Sequence, residues 1–114
     1  MGQYWMWSNT TKKIHLEPTN VKIATCEAVL KELLRLASNE WADDIVVLSH
    51  DEMEREVYEQ DWPTIIVKTS KRFCGRSPVD EAKRYIEPRP LTADSVRLML
   101  SQLDECICDE GLSD

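Results

Sequence analysis

The sequence predicts a small two-layer α+β domain. An about four-stranded, mainly antiparallel sheet opens with an N-terminal β-hairpin and carries three to four helices on one face. Three observations lead there. An alternating aromatic segment at 3–8 is followed by turn residues and a second alternating segment at 13–17, which is hairpin patterning. Residues 26–38 place apolar side chains at helical spacing. With 114 residues, 42% hydrophobic and 31% charged, the chain suffices for one core but not two.

The elements follow in order. Residues 3–8 read as a strand with Trp5 and Trp7 on one face and Tyr4 and Met6 on the other. Both faces are apolar, so this strand is central or meets a partner. Asn9-Thr10-Thr11-Lys12 is turn material. Ile14 and Leu16 then alternate with Lys13, His15 and Glu17 until Pro18 and Asn20 end the hairpin. Thr25 is placed to cap a helix over 26–38, with Cys26, Val29, Leu30, Leu33, Leu34 and Ala37 inward. Asp44 to Ser49 reads as a buried strand.

Ser49 and Glu52 fit a capping box before a short helix over 50–60, with a strand over 55–59 as the competing reading. Pro63 precedes a strand at 64–68. Ser77-Pro78 opens a helix over 78–86 that buries Val79, Ala82 and Ile86. Residues 87–90 form an extended link, and Thr92 caps a last helix over 93–106 with Val96, Met99, Leu100 and Leu103 inward. Residues 1–114 are thus one domain with an acidic tail over 107–114 that frays.

The opening Met1-Gly2-Gln3-Tyr4-Trp5, followed by Asn9, Lys12-Lys13, Leu16 and Pro18, resembles the start of a group of uncharacterised microbial proteins. Trp41-Ala42-Asp43-Asp44-Ile45 is similar to a later segment of that group. The resemblance implies the hairpin and carries no function.

The chemistry is read chiefly from missing motifs. Three glycines, at 2, 75 and 111, make neither a dinucleotide fingerprint nor a phosphate-binding loop. Nucleophile-elbow and zinc-protease motifs are missing too, so no catalytic residue and no cofactor is expected. Ser49-His50-Asp51 has triad composition, but consecutive residues point apart, whereas a triad assembles from distant positions. Cys106-x-Cys108, with Cys26, Cys74, His15 and His50 elsewhere, lacks the paired spacing of a zinc site, and no metal is expected. Cys74 lies among Lys71, Arg72 and Arg76, a setting that lowers a thiol pKa and admits a thiol-dependent or anion-binding reading. A solvated basic loop is the plainer account of it.

The N-terminus has neither the basic nor the apolar region of a secretory signal, and the longest aliphatic run is Ile45–Leu48. A cytoplasmic protein with free thiols and no membrane contact is expected. Net charge −7 disfavours direct binding to nucleic acid.

That charge is uneven. Residues 39–60 hold one basic and eight acidic side chains, net −7, and residues 91–114 hold one against six, net −5. The segments 1–38 and 61–90 are net +2 and +3. Trp41, Asp43, Asp44, Asp51, Glu52, Glu54, Glu56, Glu59 and Trp62 are therefore the candidate partner-binding residues, because buried aromatics ringed by charge are what interfaces use. Lys68, Lys71, Arg72 and Arg76 form a secondary basic patch. The expected partner is a protein with a basic surface. The expected function is a small acidic inhibitor of a larger, nucleic-acid-handling protein, by analogy of size and charge with toxin-immunity proteins and phage-encoded anti-defence or anti-CRISPR inhibitors. The chain is expected to be a monomer or homodimer, and a third reading is an oligomerising subunit that uses the Trp5/Trp7 face.

Overall fold

A computed structural model describes residues 5–19, 24–50, 52, 55–69 and 80–103. The fold is α+β, as the patterning predicts, with a five-stranded mixed sheet. The strands are β1 (Trp5–Asn9), β2 (Ile14–Pro18), β3 (Ile45–His50), β4 (Thr64–Val67) and β5 (Arg89–Pro90), in spatial order β4-β2-β1-β3-β5. The helices are α1 (Glu27–Ala37), α2 (Arg55–Tyr58), α3 (Asp80–Lys83) and α4 (Ala93–Gln102), and a 3-10 turn over Arg84–Ile86 follows α3.

β1 is central, which is why its two faces are both apolar. Its register sets Trp7 opposite Leu16 and Leu48, and Ser8 opposite His15 and Val47. Trp7, Leu16, Val46 and Leu48 share one face and join Val29, Leu30 and Leu33 of α1 and Val96 and Met99 of α4 in the core. The hairpin turn is held by Asn9, whose Oδ1 accepts from the Lys12 backbone N–H at 2.9 Å, with Lys13 at φ 60 completing the reversal.

Several boundaries differ from expectation for identifiable reasons. α1 starts after Cys26, which occupies the cap position without a side-chain bond, while Thr25 is buried instead of capping. Its buried stripe takes in Leu36, and Leu34 is only partly buried. In the described part, the helix expected over 50–60 is α2. Pairing of β3 with β1 runs through Ser49 and His50, so Ser49 belongs to the strand and caps nothing. The helix expected over 78–86 is α3 plus the 3-10 turn in the described part, and it buries Tyr85 in place of Ile86. The link over 87–90 supplies a fifth strand, because Arg89 and Pro90 pair with Val46 and Ile45. β4 runs parallel to β2, which makes the sheet mixed. The segment expected to fray, 107–114, lies outside the described residues.

The last helix begins as expected. Thr92 Oγ1 accepts from the Ser95 backbone N–H at 3.1 Å, meeting one of the donors that a helix start leaves open. Thr92→Ala should lower unfolding free energy by about 1 kcal/mol, read as a shift of the urea midpoint.

Candidate protein-binding surface

The second sheet face, away from α1 and α4, is covered as well. It carries Met6 and Ser8 of β1, His15 of β2, and Val47 and Ser49 of β3, all buried. The chain after α2 closes over it. The Trp62 ring stacks on the His15 imidazole at 5.0 Å between centroids and 24° between planes. His15 Nε2 lies 2.8 Å from the Gln60 carbonyl oxygen, which only accepts, so Nε2 carries the proton. Nδ1 lies 2.7 Å from Ser8 Oγ and accepts from that hydroxyl in the neutral ring. A serine, a histidine and an orienting carbonyl thus stand in line. Ser8 is 0% exposed, so no substrate reaches its oxygen, and the line works as a cross-strand polar brace.

The alternation of β2 suggested that His15 faces solvent. The signal that it does not was in β1: two apolar faces mean two covered faces, and the cross-strand neighbour of Ser8 is covered with it.

The acidic run divides into two regions. Asp43 and Asp44 precede β3, while Glu52 follows it, so six strand residues, about 20 Å, separate them. At the first end Asp44 is a structural group. Its Oδ2 accepts from Asn9 Nδ2 at 2.9 Å and from Lys12 Nζ at 2.7 Å. Nearby, the Ile45 N–H donates to Thr11 Oγ1 and the Thr10 N–H donates to the Ile45 carbonyl. The hairpin turn is thereby clamped to the start of β3. Partial burial works to raise the Asp44 pKa, but the hydrogen bonds from Asn9 and Lys12 and the lysine charge outweigh it, leaving the carboxyl below its usual value. Asn9, Lys12 and Asp44, which the sequence resemblance drew from two separate segments, meet here.

Trp41 is 1% exposed and packs in the core beneath the end of α1, with its backbone N–H donating to the Leu36 carbonyl. Its ring is therefore not presented at a surface. Asp43 is exposed and adopts φ 63 while its N–H bonds to the Leu91 carbonyl.

At the second region Glu52, Glu56, Glu59 and Asp61 are exposed, with Arg55 bonded to Glu59 at 2.5 Å and Trp62 half-buried beside them. α2 packs on β1 and β3, which fixes this strip to the sheet. Asp51 and Glu54 lie outside the described residues, as do Lys71, Cys74, Arg72 and Arg76; Lys68 is exposed after β4. Of the expected set, Glu52, Glu56, Glu59 and Trp62 lie on the segment after β3, and the six residues of that strand separate them from Trp41, Asp43 and Asp44. Trp7 is fully buried and Trp5 half-buried, with the Trp5 ring edge-on to His50 at 4.3 Å, so the Trp5/Trp7 face is an internal layer.

Among the described residues no group of three His, Cys, Asp or Glu is placed to hold a metal ion, and no helix is long and apolar enough to cross a membrane. Cys26 is buried and free, and burial pushes its thiol pKa up, which is the opposite of an activated cysteine. Comparison with protein-family models, curated proteins and solved structures finds no match to this chain.

Ser49 Oγ is buried without a hydrogen-bond partner among the described residues, so Ser49→Ala should leave stability unchanged or raised. Ser8→Ala strips the brace from a buried imidazole and should cost about 1–3 kcal/mol, both measured by urea unfolding. Because the Asp44 pKa is lowered in the folded state, its contribution is complete above the unfolded carboxyl value of about 3.9 and disappears as pH falls through the folded value. The wild-type urea midpoint should therefore fall more on acidification below about pH 4 than that of Asp44→Asn.

Proposed function

We propose that this protein is a small acidic inhibitor that binds a larger protein through the latter's basic, nucleic-acid-handling surface, in the manner of a toxin-immunity or phage anti-defence protein. The reading rests on one observation: Glu52, Glu56, Glu59 and Asp61 are all exposed on and around α2, which packs on the sheet, and Arg55 is the sole Lys or Arg between 39 and 60. Carboxylates held this way raise the rate of encounter with a cationic cleft. The half-buried Trp62 at the edge of the strip supplies an aromatic anchor of the kind that dominates interface energetics. Asp44 and Trp41 take no part, since their side chains serve the fold.

The experiment is capture of the partner by the immobilised chain, followed by kinetics with purified components. Changing Glu52, Glu56 and Glu59 to Lys should slow association at least about tenfold and flatten its salt dependence, whereas Asp43→Lys should change little. Equal association rates for the triple variant and wild type at low salt would overturn the proposal.

A further inference from the structure

The two edges of the sheet are built differently. β5 is two residues long, one a charged arginine and the other a proline without an N–H, which are the devices that keep an edge from pairing. β4 has neither device. Thr64, Ile65, Ile66 and Val67 are all β-branched and uncharged, and Ile66 is 50% exposed.

The direction of its free backbone groups follows from the ladder with β2. The His15 N–H donates to the Pro63 carbonyl at 2.8 Å, and the Thr19 N–H donates to the Val67 carbonyl at 3.0 Å. In a parallel pair the inward groups recur at every second residue. The N–H and C=O groups of Thr64 and Ile66 therefore point away from β2.

Charge selects the occupant. Asp61 stands before this strand and Lys68 after it; both are exposed, and neither makes an ion pair among the described residues. The edge thus has an acidic beginning, a neutral β-branched middle and a basic end. An antiparallel copy of itself complements it at every position.

We propose that the chain forms a two-fold homodimer by antiparallel pairing of β4 with β4 of a second copy. Only residues whose backbone groups both point outward exchange paired bonds across an antiparallel ladder. Thr64 therefore pairs with Ile66 of the second copy, and the two-fold axis passes between the two Ile65 residues. Lys68 then falls opposite Trp62 of the second copy and next to its Asp61, where the cation meets both an indole and a carboxylate. The sheet becomes continuous across both copies. This dimer does not rest on the proposed inhibitor function; it engages Asp61 and Trp62 at one end of the acidic strip and leaves Glu52, Glu56 and Glu59 outside the pairing.

The test is sedimentation equilibrium of the full chain over about a hundredfold range of concentration. The expected mass rises toward twice 13.2 kDa. Ile66→Lys should give the monomer mass at every concentration with an unchanged far-UV spectrum, since its side chain is already half in solvent. Lys68→Glu should raise the dimer dissociation constant about tenfold, and the double variant Asp61→Lys/Lys68→Glu should restore it. A wild-type monomer throughout, including one that pairs β4 only with an unrelated extended peptide, overturns the proposal. So does a dimer indifferent to a folded Ile66→Lys. Should that variant not fold, the charge reversal and its rescue decide the matter, and a dimer insensitive to both overturns it.

Discussion

Burial of Trp7 is the constraint on which the other parts depend. Its ring is 0% exposed, lies edge-on to Tyr85 at 5.4 Å and is flanked by Leu16 and Leu48. A buried indole also needs an acceptor for its N–H, and the Ala24 carbonyl supplies it at 2.6 Å. That single bond draws the segment before α1 down onto the sheet and so sets where the helix begins. Burying the ring contributes roughly 4–6 kcal/mol of transfer free energy as an upper value. It also obliges β1 to be central, with a strand on each side and a helical layer above.

Once β1 is central, its other face must be covered too, and this explains a polar layer where a small domain would ordinarily expose a sheet face. The segment after α2 covers it with one aromatic ring and one carbonyl, both directed at His15. The same segment carries the exposed Glu59 and Asp61. α2, which carries Glu56, packs on β1 and β3, so this part of the acidic strip is anchored to the sheet.

Much of the fold was legible locally. The α1 stripe, the Thr92 cap, the hairpin turn and the two-faced character of β1 each follow from a few neighbouring residues and their spacing. The candidate site was legible only in part. Glu52, Glu56 and Glu59 are neighbours in sequence and are exposed, with Trp62 half-buried just after them. Asp44 and Trp41 stand beside them in the chain, yet they turn to Lys12 and to the core, because the hairpin turn and the end of α1 are brought to them by long-range pairing. Ser49 reads locally both as the end of a strand and as a helix cap, and pairing with β1 makes it a strand residue.

The sequence by itself determined the class of the domain, the two apolar faces of the first strand, the two long helices and the concentration of acid between 39 and 60. These rest on periodicity and counting, which are properties of short windows. Tertiary structure alone decided the parallel placement of β4 beside β2, the fifth strand from an apparent linker, the burial of Ser8 and His15, and the division of the acidic run into a structural end and an exposed strip. Each depends on which distant segments share hydrogen bonds, and backbone donors are alike along the chain until the burial of the large side chains selects the register.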